Sequence, residues 1–180
     1  MNFIIYDLEA TCWKGRPISL IQETIEVGAV KVNRYGEVKG VFNRFVKPIV
    51  NPLLSTFCVE LTSIEQHSID RASKFPAVLD AFIEWAEIFE TDYLMCSWGA
   101  FDQKMLLQDC NLHKLESAWL DNHLNLKQQY QQIRGLKEPI GLKSAVNREG
   151  FEFDGMHHRG IDDAKNLAKI FLKLLDEWVY

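Results

Sequence analysis

The sequence predicts an α/β domain built on a mixed sheet, and the order of its periodicities carries that prediction. Three β-rich stretches joined by short turns come first, helical periodicity follows, and a further apolar run sits between helical segments. Phe3-Ile4-Ile5-Tyr6, followed by Asp-Leu-Glu, reads as a buried strand that turns polar at its end. Residues 22–32 hold the β-rich stretch Thr24 to Val32, Asn33-Arg34-Tyr35-Gly36 supplies a turn, and 37–46 returns as a third strand ended by Pro48. Two hairpins joining three strands make an antiparallel meander. From Ser63 onward the pattern becomes helical, most clearly over 76–90, where Val78, Ala81, Phe82, Trp85, Ile88 and Phe89 recur every three or four residues. Tyr93-Leu-Met-Cys-Ser-Trp98 predicts a fourth strand. A helix beginning near Asp102 leads into helical but polar sequence through 132. Gly141–Glu149 predicts a short helix stopped by Gly150, and the last helix runs from Ile161 to Trp178.

A chain of 180 residues suits one domain covering 1–180, and 47% hydrophobic residues supply a core that needs no disulfide or structural metal. Apolar runs are too short to cross a bilayer, so no membrane partner is expected. The N-terminus reaches an acid by Asp7 without a basic stretch, which argues against a signal peptide. Cys12, Cys58, Cys96 and Cys110 lie far apart with no CxxC pair, which speaks against a zinc knuckle and fits a reducing, cytoplasmic setting. A net charge of −5 excludes a protein that coats long stretches of nucleic acid. The balance is uneven: 76–92 carries five acids and no base, whereas 127–148 carries Lys127, Arg134, Lys137, Lys143 and Arg148 against Glu138 alone.

Acids fall where chemistry would need them. Asp7 and Glu9 are two apart on one strand, so both point to the same face of the sheet. Burying two like charges together is costly unless a divalent cation lies between them, and oxygen ligands suit Mg²⁺ or Mn²⁺. Asp163 shares its helical direction with Leu167, Ile170 and Leu174, so it points along the core stripe. Asp162 aligns instead with Asn166, Lys169 and Lys173, the expected wet side. Asp102 follows the fourth strand and opens a helix, where alone it reads as a cap. Four convergent carboxylates are what a pair of Mg²⁺ ions needs to clamp both oxygens of a phosphodiester cleavage. The glycine-bracketed segment Gly155-Met-His-His-Arg-Gly160 adds a candidate base, and position leaves His157 and His158 equally placed.

Asp7-Leu-Glu-Ala-Thr-Cys12, Phe101-Asp102 and His158-Arg-Gly-Ile-Asp-Asp163 resemble the three motifs of the DEDDh 3′–5′ exonucleases: D-x-E, a lone aspartate, and H-x4-D. Glu23-Thr-Ile-Glu-Val-Gly28, Phe45-Val-Lys-Pro48 and the stretch Asn51 to Ile64 resemble the three-prime histone mRNA exonuclease-like subgroup. The resemblance implies a ribonuclease H-like fold with a five-stranded mixed sheet flanked by helices. It also implies two Mg²⁺ or Mn²⁺ ions and hydrolysis of single-stranded nucleic acid from the 3′ end, with nucleoside 5′-monophosphates as product. Carried over motif by motif, Asp7, Glu9, Asp102 and Asp163 are the metal ligands, with Glu9 also catalytic. The H-x4-D spacing selects His158 as the base. Ala10, Thr11, Leu61, Thr62, Phe101 and His158 are implied to touch the terminal nucleotide.

The sequence departs from the family at Phe101, where tryptophan is common, and at Ser63, where glycine is common. No counterpart of the N-terminal nucleic-acid-binding module of some animal relatives is visible, so a histone stem-loop substrate is not transferred. RNA is the favoured strand. The same chemistry on single-stranded DNA, and a non-catalytic nucleic-acid-binding module, are the competing readings.

Overall fold

The computed structural model describes every residue except Arg16 and Ile18. Its centre is β1 (Asn2–Ala10), the buried strand expected from the opening apolar run. Alternation along β1 sends Ile4, Tyr6, Leu8 and Ala10 to one core and Phe3 and Ile5 to the other. By the same parity Asp7 and Glu9 lie on the face of Phe3 and Ile5.

β2 (Thr24–Asn33) pairs antiparallel with β1, and β3 (Val38–Lys47) pairs antiparallel with β2, so the meander forms as expected. After β3 come α1 (Thr56–Thr62), α2 (Gln66–Asp70), the short β4 (Ser73–Lys74) and α3 (Phe75–Ala86). α3 covers the first core through Phe75, Val78, Leu79 and Phe82, and the chain then returns as β5 (Tyr93–Ser97), parallel to β1. α4 (Phe101–His113), β6 (His123–Asn125), α5 (Leu126–Ile133), α6 (Leu142–Arg148) and α7 (Gly160–Lys173) complete the domain. α5, α6 and α7 build the second core on the Phe3 and Ile5 face. No helix among the described residues is long and apolar enough to cross a membrane.

The structure corrects the sequence expectations in several places. The sheet has six strands in the order β4-β3-β2-β1-β5-β6, not five. β4 is two residues and β6 three, too short for a period-of-two signal to be legible. The helix placed from Ser63 onward begins earlier, and Ser63 instead ends α1 in a left-handed conformation (φ 57°) that glycine would adopt without strain. The polar stretch expected to be helical through 132 is interrupted. Lys114 closes α4 with φ 56°, a 3-10 turn spans Ala118–Asp121, and β6 joins β5 before α5 begins. The last helix stops at Lys173 rather than Trp178. Trp178 is nevertheless buried, and its indole N–H donates to the Phe171 carbonyl at 2.9 Å.

One contact sets where α7 begins. A Cβ on Gly28 of β2 would lie 2.2 Å from the Gly160 carbonyl carbon and from the Ile161 nitrogen. Gly160 in turn sits so near β1 that its own Cβ would meet the Asp7 carbonyl oxygen at 3.0 Å. The helix N-terminus therefore rests on bare backbone, directly beside Asp7, the cross-strand partner of Gly28. Gly28→Ala should cost about 3 kcal/mol or more, because backbone cannot step aside. Gly40→Ala, whose Cβ would meet only the Trp85 side chain at 3.2 Å, should stay within about 1 kcal/mol of wild type in the same urea titration.

Candidate active site

The parallel pairing of β1 with β5 ends at Ile5–Cys96, so the amide of Leu8 needs a partner other than β5. Asp102, in the first turn of α4, supplies it: Oδ1 accepts from the Leu8 N–H at 3.0 Å. Asp102 is thus a buried tie between α4 and β1, not the helix cap that its position alone suggests. Burial raises its pKa to about 6, with the Leu8 amide opposing that rise.

α7 brings the other long-range acid. Asp163 is buried as its helical phase predicts, accepting from the His158 amide at 3.1 Å and from His157 Nδ1 at 2.9 Å. One of its oxygens, one of Asp7 and one of Glu9 all lie within 4.8 Å of one another. Asp102 lines the same cleft but stands outside that tight group. Among the described residues, the Asp7 and Glu9 carboxylates accept no hydrogen bond. Burial first, and then the charges of Asp102, Asp163 and Glu9, push Asp7 well above the usual carboxylate range. Burial, Asp163 and Glu26 push Glu9 up to about 9. Carboxylates so crowded and unpaired fit hard divalent cations, which would remove the repulsion and occupy the free oxygens. His157, His158 and Asp163 also fall within 4.8 Å, but imidazoles suit softer ions, and His157 is already engaged by Asp163.

Sequence reasoning missed what holds this loop. Glu26 is fully buried opposite Glu9, a like-charge pairing that would be unfavourable alone. Arg159 resolves it with a bidentate grip, Nε and Nη2 each 3.1 Å from the Glu26 carboxylate, and the Gly160 amide adds a bond at 3.0 Å. The available signal was adjacency: Arg159 and Gly160 follow His158, and Glu26 lies two residues before Gly28.

The row of α7 expected to be wet is also different. Asp162 is half-buried and accepts from the Met156 amide at 2.9 Å, and Asn166 is fully buried, donating to the carbonyls of Asp154 (2.7 Å) and Asp162 (2.8 Å). Lys169 reaches the Glu152 carbonyl at 3.0 Å, and Lys173 reaches Glu149. A polar row facing a coil has polar work to do, and here it staples the 149–158 segment to the helix. His158 is left with φ 66°, strained for a non-glycine residue, its ring stacked on His157 at 4.1 Å.

These groups open into a cleft of 730 Å³ lined by Asp7, Glu9, Asp102, Asp163 and both histidines. Ala10, Leu61 and Phe101 line it as well, Phe101 being 48% exposed at the start of α4. Thr11 and Thr62, expected at the substrate, do not line it. Thr11 is buried and its hydroxyl accepts from the Glu23 amide, whereas the Thr62 hydroxyl donates back to the Cys58 carbonyl within α1.

A family model described as exonuclease matches residues 4–171, nearly the whole chain and every acid of the cleft. The chain belongs to the exonuclease family. It falls among the DEDDh 3′–5′ exonucleases of the histone mRNA exonuclease-like type. It is 35% identical to mouse 3′–5′ exoribonuclease 1 and 32% identical to the human protein of that name. Each alignment covers 96% of this chain and 52% of the relative, so the chain spans about half the length of these relatives. The nuclease domain of 3′hExo, a DEDDh family member bound to rAMP, superposes with a TM-score of 0.90 at 33% identity, covering 98% of this chain and 92% of that one. A 3′-exonuclease structure described as recognising the 3′ end of the histone mRNA stem-loop gives 0.91 at 31% identity, covering 98% and 64%. The exonuclease family uses divalent metal ions.

A carboxyl whose pKa rises on folding holds its proton more tightly in the folded state, so the metal-free protein should lose stability as pH climbs from 4.5 toward about 9. Glu9→Gln should therefore stabilise the metal-free protein by about 2 kcal/mol at pH 8, and by much less at pH 5. Urea unfolding in EDTA at both pH values measures it; destabilisation at pH 8 would mean the carboxylate is structural.

Proposed function

We propose that this chain is a metal-dependent 3′–5′ exonuclease that hydrolyses single-stranded RNA or short RNA ends to nucleoside 5′-monophosphates. The observation that carries this reading is the gathering of Asp7, Glu9, Asp102 and Asp163, from β1, α4 and α7, around one open cleft. RNA is the favoured strand because the relatives that match nearly all of this chain are named exoribonucleases. Four free cysteines, with no disulfide among the described residues, suit a reducing, cytoplasmic setting.

Asp7, Glu9, Asp102 and Asp163 would hold two Mg²⁺ or Mn²⁺ ions, which when bound offset the phosphodiester charge and stabilise the attacking and leaving oxygens. His158 takes the proton of the attacking water. Burial and the neighbouring His157 lower its pKa below 6.5, with Asp163 opposing, so the proton-accepting form prevails at neutral pH. Its ring makes no hydrogen bond among the described residues, whereas that of His157 is tied to Asp163. Asp163 acts twice, as a ligand and as the acceptor that fixes the His158 backbone. The terminal nucleotide lies along the Ala10 backbone with its base between Leu61 and Phe101, surfaces that accept any base.

The expected result on 5′-labelled single-stranded RNA is a ladder shortening from the 3′ end with Mg²⁺ or Mn²⁺ and none with EDTA. His158→Ala should lower kcat by about 100- to 10,000-fold with the protein still folded. An endonucleolytic pattern, or an unchanged rate in that variant, would overturn the reading.

The basic stretch 127–148 serves the upstream strand, but not through every base. Arg134 is committed to Glu149 at 2.8 Å and to Glu177 at 3.5 Å. Lys137 and Lys143 are exposed, and Lys143 follows Leu142, which lines the cleft. Lys137→Gln combined with Lys143→Gln should raise KM for long RNA about three- to tenfold at low salt, measured by initial rates. Arg134→Gln should act on stability instead.

A further inference from the structure

The cleft extends past the carboxylates along the segment between β1 and β2, where Trp13, Pro17, Leu20 and Gln22 line it. Trp13 is the anomaly. It is half-buried in the cleft wall, yet among the described residues no aromatic ring stacks on it and no acceptor takes its indole N–H. The other tryptophans are differently placed. Trp98 packs on Tyr130 and donates to the Ile140 carbonyl, Trp119 donates to the Glu116 carbonyl, Trp178 stacks on Phe171, and Trp85 packs on Phe42. A tryptophan ordinarily finds such partners inside a protein, because its area and its N–H are both costly to leave unused. An unpaired indole beside a site for nucleic acid has the form of a stacking platform.

We propose that Trp13 stacks on the penultimate base of the bound strand, making it a strand-binding residue one nucleotide upstream of the scissile bond. This rests on the exonuclease reading and deepens it. The terminal base already has its walls in Leu61 and Phe101, on α1 and α4. Trp13 comes from a third segment, three residues beyond Ala10, and offers surface to a second base. Stacking on that second base adds binding that the ground state and the transition state share, so it acts on KM, and a π-face supplies it without regard to sequence. The enzyme would then grip oligonucleotides more tightly than the mononucleotide it releases.

The test is steady-state kinetics on short single-stranded RNA that carries either an ordinary or an abasic penultimate residue, with wild type, Trp13→Ala and Trp13→Phe. Trp13→Ala should raise KM about tenfold. Its kcat should remain within about twofold, and the inhibition constant of free AMP should stay unchanged. Trp13→Phe should recover most of the loss. With the abasic strand, wild type should fall to the level of Trp13→Ala, and the variant should lose nothing further. Equal KM for wild type and Trp13→Ala, or full additivity of the two changes, would overturn the proposal while leaving the exonuclease intact. A wild-type chain that shortens no strand would overturn both.

Discussion

The site depends on a place where the protein has no side chain. Gly28 and Gly160 let the first turn of α7 lie against the backbone of β1 and β2, closer than any Cβ allows. That approach decides the position of Asp163, since a helix displaced outward would carry its carboxylate away from Asp7 and Glu9. It also decides where the 155–159 loop ends, and so where both histidines stand. The Glu26–Arg159 pair reinforces it from the other side: a fully buried carboxylate takes two guanidinium N–H groups and the Gly160 amide. Such a pair contributes position more surely than net stability, because desolvating both partners offsets much of their attraction.

Within that frame the electrostatics are divided between supported and unsupported charge. Asp102 has the Leu8 amide, Asp163 has a histidine and an amide, and Glu26 has Arg159. Among the described residues Asp7 and Glu9 have no such support; burial and then the neighbouring acids raise both pKa values, with no hydrogen bond opposing the rise. A fold that invests donors in three neighbouring acids and withholds them from the two on its central strand leaves those two carboxylates able to take an external cation. Any divalent ion bound there would return the stability that the two unsupported charges forgo.

The cleft has a corresponding division of labour. One wall is charged and deep, built from β1, α7 and the start of α4; the other surfaces are apolar and reachable, from Leu61, Phe101 and Trp13. Phosphate chemistry needs the first, and tolerant recognition of bases needs the second. The protein is acidic overall, so any attraction for a polyanion would have to come from local features such as the exposed lysines at 137 and 143.

Much of this was legible in the chain. The β1 alternation puts Asp7 and Glu9 on one face, the 100° helical step turns Asp163 inward, and the two hairpins make the meander, because local periodicity dictates each of them. The carboxylates could be read because buried like charges are improbable without a purpose. Other features depend on distant segments meeting. β6 exists because β5 offers an edge, and its three residues carry no period of their own. Asn166 and Asp162 look solvated on a helical wheel, but a neighbouring coil presents backbone groups that need them. Gly28 and Gly160 are 132 residues apart, and nothing local marks them as touching. Periodicity reports which way a side chain points; what it meets there is set by how the rest of the chain packs.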